Sequence, residues 1–265
     1  MTHPAPRPWL LSEINYGFVK HNPYQVAVLP MGATEPHNLH LPYGTDAYEA
    51  EAVGSMSCEK AWGQGAKVVM LPPMPYGTET NMMEFSMAMN LNPSTLTLVI
   101  SDIVASLAKH NVMKLVVLNS HGGNDFKPVL RELADKTPVK IFLCEWYRGL
   151  SADAKEIFTN PDDHAGEMET SLIQFLKPHL VATDPVTGKL LADDGSVAKS
   201  RFDAINKGWV SITRPWHLLT TNSGSGNPHC ATAEKGGKFL ETVTDRFASF
   251  LVELSASPLD EKFPF

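Results

Sequence analysis

Cysteine is scarce: Cys58, Cys144 and Cys230 are the only three, odd in number and widely spaced. That argues against a disulfide framework and reads as reduced thiols in a cytoplasmic protein. Long hydrophobic runs are also missing. No apolar stretch approaches the roughly 18 residues of a membrane span, so no membrane partner is expected. Residues 1–10 hold three prolines and no apolar segment, so no signal peptide is expected. Positive charge is in short supply, with a formal net charge of -7. That argues against nucleic acid or an anionic surface as the partner and leaves a small-molecule substrate. Gly63-Gln64-Gly65 lacks a third glycine and precedes a strand candidate instead of following one, so it is no dinucleotide loop. There is no Walker loop, no Gly-x-Ser-x-Gly elbow, no internal repeat and no low-complexity tract.

What is present suffices for one large core: 265 residues, 43% of them hydrophobic, with no linker between periodic segments. A single domain over residues 1–265 is expected. Short apolar runs at 25–30, 68–71, 114–119 and 139–144 read as buried strands. Residues 93–110 read as a helix. Asn92 is its cap candidate, Pro93 takes the first turn, and Leu96, Val99, Ile100, Ile103, Val104 and Leu107 recur with helical period. Residues 231–254 read as a final helix, and 185–227 as loops with a hairpin over one edge. Strands alternating with helices predict a layered α/β/α fold with a mostly parallel central sheet.

Three motifs carry chemistry. The first runs from Glu35 through His37 and His40 to Asp46, just past the first strand. Residues two apart on an extended segment point the same way, so Glu35 and His37 can reach one point. Two carboxylates and an imidazole suit zinc, manganese or iron(II). A polar loop with Asp46 capping the next helix would read the same way in isolation. The second motif is His121-Gly122-Gly123-Asn124, directly after the 114–119 strand. It places His121 where open α/β sheets bind ligands, or else is a plain glycine turn. The third is Asp163 to Ser171. A helix over 164–176 gathers Ala165, Met168, Leu172 and Leu176 into one stripe, with Glu169 inside it and Glu167 on the opposite, solvent-facing side. A buried carboxylate needs a metal or a cation, so Glu169 is the ligand candidate. His164, in the first turn, is expected at the rim of the site. Cys144 reads as an inert core residue. Trp146 and Tyr147 either wall a pocket or pack in the core, and Trp209 and Trp216 either form a lid or anchor loops.

In combination these blocks resemble the creatininase family of metal-dependent amidohydrolases, over residues 13–248. The matching stretches are Gly32-x-x-Glu35-x-His37-x-x-His40-Leu41-Pro42, Thr45-Asp46, His121-Gly122-Gly123-Asn124 and His164-Ala165-Gly166-x-x-Glu169-Thr170-Ser171. Pro75-Tyr76-Gly77 and Ala231-Thr232-Ala233-Glu234-Lys235-Gly236 are further landmarks. The resemblance implies two divalent metal ions (zinc, manganese or iron) and homo-oligomers, often hexamers. It implies that Glu35 and His121 hold one ion and His37 the other, that Asp46 bridges them, and that Glu169 completes the second. His164 and Glu35 are the catalytic candidates. Thr78, Gly122 and Trp146 are the candidate substrate contacts. Creatininases proper carry an aromatic residue and then Glu after the matching histidine, where this chain has Gly122 and Gly123. Residues 85–90 likewise depart from Phe-Pro-Gly-Thr. Both departures point away from creatinine and towards the wider family.

The expected reaction is metal-assisted hydrolysis of a small, preferably cyclic, amide, with His164 donating or relaying a proton to the leaving nitrogen. The rival readings are hydrolysis of a keto-inositol ring on the same metals, and a non-catalytic binding protein on the same fold. The helical projection further predicts that Glu167→Gln shifts stability by only a few tenths of a kcal/mol.

Overall fold

The computed structural model describes residues 6–149, 151–160 and 162–265. Residues 1–5 of the N-terminal reading lie outside it, as does the Asp163 side chain. Four strands, β1 (Val26–Met31), β2 (Val68–Met70), β3 (Lys114–Asn119) and β4 (Lys140–Glu145), form one parallel sheet in the order β2-β1-β3-β4. β1, β2 and β3 are buried along their whole length, because helices cover both faces. That is why they read as unbroken apolar runs.

The principal helices are α1 (Tyr16–His21), α2 (Thr45–Gly63), α3 (Pro93–Lys109), α4 (Lys127–Leu133), α5 (Trp146–Gly149), α6 (Ser151–Ile157), α7 (Glu167–Leu176), α8 (Asp203–Asn206), α9 (Trp216–Leu219) and α10 (Ala233–Ala256). Side chains alternate across β1 and split the core in two. Val26 and Val28 pack with Val53 and Cys58 of α2 and Phe239, Val243 and Leu251 of α10. Ala27, Leu29 and Met31 pack with Leu96, Ile100 and Val104 of α3 and Val129 of α4. The result is the expected α/β/α layering. No helix among the described residues is long and apolar enough to cross a membrane.

β1 and β3 end together, with Met31 registered opposite Asn119 and the Ser120 N–H donating to the Met31 carbonyl at 2.9 Å. The segments carrying Glu35 and His121 therefore leave the sheet side by side. Gly32 lets the chain pass close to α2, since a Cβ there would lie 2.6 Å from the Ala47 nitrogen.

Three readings need correction, the first of them the rival to the metal reading. Asp46 is not the cap of α2: Gly44 is, and Asp46 lies in the first turn. The third-motif helix starts at Glu167, not at 164. His164 instead ends a short strand, β5 (Asp162–His164), paired antiparallel with β6 (Ser225–Gly226). Ala165, at φ 52°, turns the chain between β5 and α7, and the Glu169 carboxylate accepts from its N–H. A left-handed alanine is a costly conformation that periodicity alone does not announce. The third correction concerns Glu167, which is fully buried and not solvated. α7 packs against α10 as well as α2, so its far side faces another helix. There Glu167 pairs with Lys235 of α10, and the backbone N–H groups of Thr159 and Asn160 donate to it at 2.9 and 3.0 Å. Those bonds, Lys235 foremost, outweigh burial and hold its pKa down at about 2.

The 185–227 segment carries two short helices as well as loops, and it buttresses the first motif. Asn38 Nδ2 donates to Asp193 Oδ1 at 3.0 Å, and the Ser223 hydroxyl donates to the Pro36 carbonyl at 2.9 Å.

Candidate metal centre

The residues singled out as ligands meet at the carboxyl edge of the sheet. Glu35 and His37 come from the loop after β1, Asp46 from the first turn of α2, His121 from the turn after β3, and Glu169 from the first turn of α7. All five are buried. Their ligand atoms approach in threes within 4.8 Å: Glu35, Asp46 and His121 in one group, His37, Asp46 and Glu169 in another. A third group joins Glu35, His37 and His164.

Asp46 lies between the two histidines. Its Oδ1 is 3.1 Å from His37 Nε2, and its Oδ2 is 3.0 Å from His121 Nδ1. Glu35 Oε1 lies 2.9 Å from the same His121 nitrogen, and Glu169 Oε2 lies 3.9 Å from His37 Nε2. Asp46 Oδ2 is buried without a well-formed hydrogen bond. Three carboxylates and two imidazoles turned inward, with such an atom among them, fit divalent cations.

The electrostatics follow from this crowding. Burial opposes charge on His37, but Asp46, then Glu169 and Glu35, overcome it and push the ring up to about 10. His121 is likewise raised against burial by Glu35, Asp46 and Glu79. Burial dominates at Glu35 and lifts its carboxyl above the usual range. Asp46 is held well below that range, chiefly by His37, although burial works the other way.

His164 behaves differently. Burial, and then the charge on His37, push it down to about 4. A metal nearby would act in the same direction, because it is also cationic. Nε2 of the neutral ring lies 2.8 Å from the Pro36 carbonyl, which fixes the proton there. Nδ1 then carries the lone pair and faces Glu35 Oε1 at 3.8 Å. Trp216 meets the ring edge-on, 5.2 Å between centroids, so this tryptophan anchors the site. Trp209 is exposed.

A cavity of about 690 Å³ opens over the group, lined by Glu35, Asp46, His121, His164 and Glu169 and by the aromatic rings of Trp146, Tyr147 and Trp216. Gly122 and Trp146 thus reach the cavity as candidate substrate contacts. Trp146 also packs into the core and donates from Nε1 to Ser120 Oγ at 2.8 Å. Thr78 is not among the lining residues. Its N–H donates to Asn124 Oδ1 at 3.0 Å, and its carbonyl lies 3.2 Å from His121 Nε2. Asn81 and Met82 line the cavity from the loop before residues 85–90.

Two buried acids escaped the sequence reading. Glu49 lines the cavity one turn beyond Asp46 on α2, and the i, i+3 spacing would have found it. Glu79, fully buried, has its Oε1 2.7 Å from His121 Nε2. Its only signal was an acid two residues after the Tyr76-Gly77 landmark.

The chain is 26% identical over 235 residues to the mycofactocin precursor peptide peptidase of Mycobacterium ulcerans (strain Agy99), covering 87% of this chain and 86% of the relative. The crystal structure of a putative creatinine amidohydrolase from Bacteroides fragilis NCTC 9343 superposes with a TM-score of 0.86 at 34% identity, covering 95% of this chain and 98% of that one. A mutant creatininase of Zn-Zn type superposes at 0.74 with 22% identity, over 94% of this chain and 98% of its own, a likeness of fold. The model of the family Creatininase, creatinine amidohydrolase, matches residues 17–251, and the chain belongs to that family.

Proposed function

We propose that this creatininase-family hydrolase works with two divalent metal ions on a small amide. The observation that carries the reading is Asp46, whose two oxygens face two different histidines. Glu35 and His121 would hold one ion, His37 and Glu169 the other, and Asp46 both. Divalent metal so held lowers the pKa of water towards about 7 and polarises a carbonyl. The chain's own part is orientation and proton transfer. Pro36 and Trp216 fix the His164 ring with Nδ1 towards Glu35. Nδ1 can therefore take a proton first and pass it to the leaving nitrogen.

A cyclic amide, which opens to a single product, is the first reading. A peptide amide is the second. The 690 Å³ cavity favours it, having more room than a small ring needs, as does the peptidase relative. The test is a screen of zinc- and manganese-loaded protein against lactams, short peptides and keto-inositols, with products weighed by mass spectrometry. Gain of one water across an amide is expected. Turnover of keto-inositols alone would contradict the amide reading, and no turnover of any class would favour a binding protein.

A further inference from the structure

His121 has two ring nitrogens, and the metal reading uses only one. Nδ1 faces the Glu35 and Asp46 carboxylates at 2.9 and 3.0 Å. Nε2 points the opposite way, 2.7 Å from Glu79 Oε1 and 3.2 Å from the Thr78 carbonyl. Both neighbours of Nε2 are acceptors, so that nitrogen carries a proton. Glu79 is fully buried, and neither of its oxygens has a well-formed hydrogen bond; the hydrogen bond of Nε2 goes to the Thr78 carbonyl, with the Glu79 carboxylate as its close ionic neighbour. A buried carboxylate with one cationic or N–H neighbour depends on that neighbour heavily.

We infer that Glu79 is a positioning residue: beside the Thr78 carbonyl, its carboxylate keeps the proton of His121 on Nε2, fixes the ring's tautomer and orientation, and leaves Nδ1 as the nitrogen that meets metal. The inference rests on the two-metal reading and extends it to a residue in none of the ligand groups. A carboxylate behind a ligating histidine also raises the basicity of the ligand atom.

Gly123 supports the assignment independently. A Cβ at 123 would lie 2.3 Å from His121 Nε2 and 2.6 Å from the Thr78 carbonyl oxygen. Only glycine leaves room for the ring to turn Nε2 towards Glu79. The Glu79 backbone is held in turn, its N–H donating to Asn90 Oδ1 at 2.8 Å.

The test uses the full chain as wild type and as Glu79→Gln, with Zn2+ competed against a chromophoric chelator. Glutamine keeps the shape and removes the charge. One of two Zn2+ affinities should fall roughly 10–100-fold, while the other, on the His37 side, stays unchanged. Glu79→Asp should recover part of the loss. Nitrogen NMR of zinc-loaded wild type should show His121 protonated at Nε2 and bare at Nδ1, a readout that needs no variant to fold. Two unchanged affinities in Glu79→Gln, or a proton on Nδ1 in the loaded wild type, would overturn the inference and leave the two-metal reading standing. Wild type that binds no Zn2+ would overturn both.

Discussion

Replacing Asp46 with alanine is expected to empty both metal positions together. Its carboxylate is shared: Oδ1 addresses His37 and Oδ2 addresses His121, from one buried side chain in the first turn of α2. Without it, two cations held close together would lose the negative charge between them. Of the two groups that share Asp46, each histidine serves one, so His37→Ala and His121→Ala should each weaken one ion more than the other. Activity of Asp46→Ala should fall by more than the roughly 10–100-fold typical of losing an outer partner of a metal ligand. Asp46→Asn, which preserves shape, should lose metal too, and so separates lost charge from lost packing. Elemental analysis of the four variants reads the result. Full occupancy in Asp46→Ala would mean that the bridge is misassigned.

The second large contrast lies within α7. Glu169→Gln should keep its fold, because the amide oxygen can still accept from the Ala165 N–H as the carboxylate does. It should lose about a hundredfold or more in activity and one metal position, since charge stabilisation and nucleophile generation go with the ligand. Glu167→Gln should do the reverse. Here the loss is a buried carboxylate paired with Lys235 and bonded to Thr159 and Asn160. Breaking such a pair from one side costs about 2–3 kcal/mol, with Lys235 partly exposed, while both metals stay. That exceeds the few tenths expected from a solvated helix terminus. The pH dependence has a definite sign. Glu167 titrates near 2 in the fold against an ordinary 4.5. Its contribution is therefore complete above pH about 4.5 and disappears as the pH falls towards about 2. Urea unfolding of wild type and Glu167→Gln should converge on acidification. Equal metal loss in the two variants would contradict the division of roles.

What the sequence made legible follows from how strongly each residue's surroundings are written locally. The Lys114–Asn119 strand is covered on both faces and stands out as an apolar run, and the Pro93–Lys109 helix announces itself by period and by Pro93. His121 and Glu35 follow strand ends, so their convergence could be read from topology. Glu167 could not: Lys235 comes from a helix 68 residues away, and no local pattern says that α10 covers that side of α7. The start of α7 was hidden by the left-handed turn at Ala165. Glu79 was hidden for another reason. It sits in a loop without periodicity, and its purpose appears only when the ring of His121 is in place beside it.

The central claim is that two metal ions sit at this edge of the sheet and are needed for hydrolysis. Metal content of gently purified protein, measured beside activity before and after chelation, tests it most directly. The expected result is about two divalent ions per chain, with activity lost on chelation and restored by adding zinc or manganese back. Protein stripped of metal that hydrolyses its substrate at the full rate would contradict it.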